Sequence, residues 1–125
     1  MKISAFNPAI LTSHYEETIR LFEDLGFQRR HQKEGIQEEL ISGNTRMKDP
    51  SGFTVDVNAV PGLPQDLSLI RMNVDDFDEG YRFLLDHGFR NALGEGRFIE
   101  APHLKGAHMV SPSGFAIMLM QHIKK

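Results

Sequence analysis

The sequence contains no cysteine. That removes disulfides, thiolate metal sites and a cysteine nucleophile, while constraining the redox compartment only weakly. Basic residues are not in excess either. Lys and Arg number 14 against 17 Asp and Glu, for a formal net charge of -3 and a pI near 6.0. Such a balance leaves no positive stripe for a phosphate backbone, so nucleic acid is not an expected partner. No segment approaches the ~18–20 consecutive apolar residues of a membrane span. Met1-Lys2-Ile3-Ser4-Ala5-Phe6 lacks the apolar core of a secretory signal. A cytoplasmic protein with no membrane partner is the expectation. Gly-rich phosphate loops, nucleophile elbows and zinc-helix motifs are also missing.

What is present is a repeat. Leu25-Gly26-Phe27 and His87-Gly88-Phe89 lie 62 residues apart (88 minus 26), and the same offset joins Pro50-Ser51-Gly52-Phe53 to Pro112-Ser113-Gly114-Phe115. It also pairs Tyr15 with Phe77, Ile19 with Tyr81, Phe22 with Leu84, Glu38 with Glu100 and Met47 with Met109. A period this long exceeds the units of about 20–50 residues that build solenoids. Two supersecondary modules sharing one compact domain fit better, and 125 residues suit that size.

Residues 3–11 carry the pattern of a strand. Ser13 and Glu16 have the spacing of a capping box, which predicts a helix start. Tyr15, Ile19 and Phe22 then form one apolar stripe, and Gly26 offers a left-handed C-terminal cap. In the second copy Asp75 or Asp76 serves as the cap, Phe77, Tyr81 and Leu84 form the stripe, and Gly88 ends it. Turn residues at Lys33-Glu34-Gly35, Ser42-Gly43-Asn44 and Gly94-Glu95-Gly96 predict two further strands per copy. A closing strand follows each Pro-Ser-Gly turn. Phe53, Val55 and Val57 alternate with Thr54, Asp56 and Asn58 in the first, and Phe115, Ile117 and Leu119 with Ala116, Met118 and Met120 in the second. The expected class is α+β: two paired βαβββ modules, residues 1–60 and 67–125 joined by a stiff linker at 61–66, forming a cupped, partly closed mixed sheet with the helices outside. One helix covers only one face of a sheet, so the other faces must meet or enclose a ligand.

This order of elements resembles the vicinal oxygen chelate superfamily, which includes glyoxalase I, extradiol dioxygenases, fosfomycin-resistance transferases and bleomycin-resistance proteins. The resemblance rests on Ser13 to Phe27 and Asp49-Pro50-Ser51-Gly52-Phe53, with their counterparts Val74 to Phe89 and Ser111-Pro112-Ser113-Gly114-Phe115. It implies metal ligands on the first and last strand of each module, at Asn7, Asp56, Leu69 and Met118. Leu69 has no donor atom, and the Met118 thioether suits soft metals, not hard divalent ions. Asn7 and Asp56 supply two oxygens where a catalytic ion normally takes three protein ligands. No cofactor is therefore expected, and a divalent metal is disfavoured.

Several residues should line the cup and contact a ligand. Asp56, on the polar face of its strand, should be partly desolvated with a raised pKa. Arg71 shares a strand face with Leu69 and Asn73, suiting an anionic or carbonyl-bearing ligand or an ion pair with Asp56. Met118 and Met120 form a soft apolar wall. Arg46 and His108, 62 residues apart (108 minus 46), make a repeat-related pair. His103 should lie in an inner strand, whereas His14, His31, His87 and His122 belong on the surface. The leading expectation is a homodimeric binder of a small aromatic or carbonyl-containing molecule. A lyase, isomerase or dioxygenase relative using Asp56 and Arg71, or a non-catalytic structural module, are the alternatives.

Overall fold

The computed structural model describes residues 1–34 and 42–123, the side chains of residues 31–34 excepted. The turn expected at Gly35, the pairing of Glu38 and the placement of the His31 side chain lie outside the described residues. The element order is β1(Ile3–Thr12), α1(Tyr15–Asp24), β2(Gln28–Glu34), β3(Gly43–Lys48), β4(Thr54–Ala59), β5(Leu67–Val74), α2(Phe77–Asp86), β6(Arg90–Asn91), β7(Ile99–Ala101), β8(Leu104–Val110) and β9(Ala116–His122). By backbone proximity the chain divides into two units, one of Asn7–Ser68 and one of Met1–Phe6 with Leu69–Lys125. The leading segment is tied into the second unit by a reciprocal pair. Lys2 donates its amide to Asp75 Oδ1 at 2.6 Å, and the Asp75 amide donates to the Lys2 carbonyl at 3.1 Å.

In the first unit the strand order is β2-β3-β4-β1; β3 is antiparallel to both neighbours, and β1 runs parallel to β4. Its core packs Ile19 of α1 on Met47, Val55 and Val57, with Tyr15, Phe22 and Ile10 against them. The period-2 alternation of β4 thus sends Val55 and Val57 to the helix and Asp56 and Asn58 to the opposite face. In the second unit the order is β5-β9-β8-β6, with β7 also on β8. There Phe77 and Leu84 of α2 pack on Met72, Val74, Ala107, Met109, Ile117 and Leu119. Each module is thus a mixed sheet with one helix on one face, and the fold class is α+β.

Both helices end in the same Schellman motif. Phe27 N–H bonds the Phe22 carbonyl and Gly26 N–H that of Glu23; in the second copy Phe89 bonds Leu84 and Gly88 bonds Leu85. The capping glycines have φ of 105° and 85°, a region costing a non-glycine residue about 1–2 kcal/mol. A Cβ at Gly26 would meet open space, whereas one at Gly88 would lie 2.8 Å from Pro112 Cγ. Gly26→Ala should accordingly cost about 1 kcal/mol and Gly88→Ala about 2 kcal/mol or more, overpacking being added to strain. Urea unfolding midpoints of the two variants check the order.

The structure corrects four readings. Ser13 is not the N-cap of α1: Thr12 Oγ1 takes the His14 amide at 2.8 Å, and His14 becomes an N-cap without a side-chain bond. In the second copy Asp76 does cap, accepting from Glu79 N at 3.1 Å. The first of the three strands after α2 is split into β6 and β7, because Gly94 and Gly96 both take positive φ in a turn held by Asn91. The Asn91 amide donates to the Arg97 carbonyl at 2.8 Å. Phe53 lies in the turn before β4 and is 69% exposed rather than inward. His103 sits in the exposed turn between β7 and β8, not within a strand.

Candidate functional site

The two helix-free faces carry the polar chemistry, and the backbone register shows how they correspond. In the first module Asp56 stands opposite Ala9 on one side and Arg46 on the other. In the second, Met118 stands opposite Arg71 and His108. Each member of the second row is 62 positions beyond its counterpart in the first, so the offset counted along the sequence is also a strand register. The next row obeys the same rule: Leu11, Asn58 and Asn44 correspond to Asn73, Met120 and Gly106.

In the first module the residues converge on Asp56, which has no solvent exposure. Asn7 Nδ2 donates to its Oδ2 at 2.7 Å, and Arg46 Nε donates to Oδ1 at 3.3 Å. Burial pushes the Asp56 carboxyl above the usual carboxylate range, while the Asn7 hydrogen bond and the Arg46 guanidinium pull it back. Asn44 Nδ2 donates to Asn58 Oδ1 at 2.7 Å in the neighbouring row.

The second module's face is built differently. Arg71 is buried and donates Nε to Asn73 Oδ1 at 3.1 Å, which orients its guanidinium. Leu69 and Met118 are buried, and Met120 is half-buried. His108 is half-buried, and burial followed by the Arg90 charge holds its imidazole below the usual histidine range.

These residues do not fit a divalent ion. Of the four positions implied by resemblance, Leu69 and Met118 offer no hard donor. Asn7 and Asp56 already bond one another, and a cation entering there would meet the Arg46 guanidinium. Among the described residues no group of three or more His, Asp or Glu is placed to hold a metal.

Sequence reasoning singled out Asn7, Asp56 and Arg46 separately and missed their union. The signal was available in part. Arg46 and Asp56 are equidistant from Ser51, the centre of a hairpin, and so had to face each other. It also passed over Asn44 and Asn58, whose amides extend the polar face, and Arg90, placed opposite Val110 at the sheet edge.

Two βαβββ modules with one helix-covered face each define a known α+β fold, and solved structures share it. It is similar to a glyoxalase/bleomycin resistance protein/dioxygenase superfamily member from Vibrio splendidus 12B01, with 17% identity over 96% of this chain and 99% of that one and a TM-score of 0.60. It is also similar to a glyoxalase I mutant from Zea mays, with 14% identity, 96% of this chain but only 43% of that one, and a TM-score of 0.67. A protein from Staphylococcus aureus gives 12% identity, 98% and 99% coverage and a TM-score of 0.67. The fold is the vicinal oxygen chelate fold. No protein-family model and no curated protein matches this sequence. Among the described residues no helix is long and apolar enough to cross a membrane.

Proposed function

We propose that this protein is a small-molecule binder of the bleomycin-resistance type that has lost the metal site of its fold. It takes an aromatic or carbonyl-containing compound on the helix-free sheet faces and acts as a homodimer. The observation that carries this reading is the state of Asp56. Its two carboxylate oxygens accept from the Asn7 amide and the Arg46 guanidinium, so an internal amide and cation stand where the resemblance calls for an ion. Binding needs shape, apolar walls and a few polar anchors, and it needs no metal.

The test is metal analysis after purification without chelators, joined to a thermal-shift screen of aromatic antibiotics and of the hemithioacetals that α-ketoaldehydes form with thiols. Substoichiometric Zn, Ni, Mn and Fe together with a raised Tm from one ligand class is the expected outcome. Stoichiometric metal would overturn it.

A second reading, a glyoxalase- or dioxygenase-related enzyme using Asp56 and Arg71, draws support from the upward shift of the Asp56 pKa, which makes the carboxylate a stronger proton acceptor than an ordinary one. Turnover of a hemithioacetal that disappears in Asp56→Asn, with folding intact by circular dichroism, would favour it. The expected result is no turnover in either protein.

A further inference from the structure

The split of the second module's edge strand opens a position that the first module keeps closed. In the first module β2 stays paired with β3 along its length, with a bulge between Arg29 and His31 and with Arg46 opposite His31 in the backbone register. In the second, β6 covers β8 at Met109 and Val110, β7 covers it from Leu104 to Gly106, and the break falls at Ala107 and His108. The Ala92 amide reaches across, donating to the His108 carbonyl at 2.8 Å.

Side chains directly opposite in an antiparallel pair share a face, so Arg90, opposite Val110, stands on the helix-free side. So does His108, two residues before Val110. The two are diagonal neighbours, about 7–8 Å apart at Cα, and the Arg90 charge is felt by the imidazole. Beside them the floor is apolar. Gly106 has no side chain, and a Cβ there would meet the Leu119 carbonyl oxygen at 3.3 Å, Met120 Cγ at 3.6 Å and Ile99 Cβ at 3.8 Å. Among the described residues of β5 to β9, the helix-free face carries Arg71, Arg90, His108 and His122 but no carboxylate. Glu100, opposite Lys105, lies on the other side, where Lys105 covers the Phe77 and Phe98 rings.

We propose that this edge is a subsite for a flat aromatic carboxylate, with Arg90 and His108 holding the acid group and Met120, Ile99 and Gly106 supporting the ring. Arg90 provides the paired N–H donors that match a carboxylate. The imidazole, kept neutral near pH 7, adds one further N–H. Methionine and a missing side chain suit a planar body. The proposal rests on the small-molecule-binding reading and names its ligand class.

The experiment is isothermal titration calorimetry of the full chain with 1-naphthoate and its neutral isostere 1-naphthamide. The expected result is at least a tenfold preference for naphthoate. Arg90→Gln should erase that preference without weakening naphthamide, Arg90→Lys should retain part of it, and Met120→Ala should weaken both ligands. Equal affinity for the two ligands, unchanged by Arg90→Gln, would overturn the anion subsite while leaving the binding reading intact. Absence of binding to either, together with a flat thermal-shift screen, would sink both. Arg90 is exposed, so its variants should fold, and circular dichroism checks this.

Discussion

Arg46→Met is expected to destabilise the protein by about 3 kcal/mol at neutral pH, and the loss should shrink as the pH falls. Removing one partner of a buried ion pair costs about 3–5 kcal/mol, because the charge that stays buried is compensated less well. The lower end applies here because the Arg46 side chain is 29% exposed, so water can approach its end of the pair. Asp56, at 0% exposure, has no such relief. Methionine retains the stem's packing and removes only the guanidinium, which isolates the electrostatic part.

The pH dependence follows from linkage. Burial is the largest influence on Asp56 and raises its folded-state pKa above the unfolded value, so between those two values the folded state binds the proton more tightly. Stability from this group is therefore fully present below the unfolded pKa and is lost as pH rises through the folded one. Arg46 lowers the folded pKa, so its removal raises that pKa further and extends the window of loss upward. Wild type and Arg46→Met should converge in acid and diverge toward neutral pH. Urea unfolding between pH 4 and 8 measures this, and the same curves with Asp56→Asn added should lose most of the divergence. A deficit that is the same at every pH would mean that Arg46 acts through packing alone.

The scaffold was legible because its signals are local and occur twice. A glycine at positive φ after an apolar stripe, and a Pro-Ser-Gly turn before an alternating strand, need only a few neighbouring residues to specify them. The repeat then carried each reading from one copy to the other, which is why the helix faces and strand parities agree with the structure. Misreadings arose where two local solutions compete. Thr12 and Ser13 can both serve the start of α1, and the Thr12 hydroxyl takes the His14 amide. Phe53 continues the alternation of β4, but it still belongs to a turn in which its amide is bound by Asp49 Oδ1 at 2.8 Å.

The candidate site was less legible because its contacts are long-range. Asn7 meets Asp56 across 49 positions, a contact that exists only because β1 and β4 run parallel. Nor does the alternation of Met118 and Met120 reveal that the strand beyond them is broken. That break depends on how Gly94 and Gly96 fold back on Asn91, which the offset could not supply because the first copy has no such turn. The repeat is informative where it holds, and the edge where it fails is where the two faces diverge in chemistry.

Phe77→Ala should have the largest effect of any single substitution considered, about 3–5 kcal/mol, the usual range for truncating a fully buried phenylalanine. The ring is 2% exposed, stacks on Tyr81 with centroids 5.9 Å apart and meets the edge of Phe98 at 5.2 Å. Lys105 Nζ lies 5.0 Å from its centroid. Its backbone amide is held by Gln121 Oε1 at 2.8 Å, so the side chain is lost from a helix start that stays tethered to β9. That tether limits collapse into the space left behind, which favours the upper half of the range. Phe53→Ala, at a 69% exposed ring, is the control and should change stability by no more than about 0.5 kcal/mol. The consequence should also be local. Phe98 precedes β7 and leans on both Phe77 and Tyr81, so losing Phe77 releases the segment that spans the break beside His108. Hydrogen exchange at the Ala92 amide, bonded to the His108 carbonyl, should accelerate more than at the Met72 amide in the core strand β5. Phe77→Leu, which refills most of the volume, should restore Ala92 protection. Equal acceleration at Ala92 and Met72 would show that Phe77 supports the whole unit and not this edge in particular.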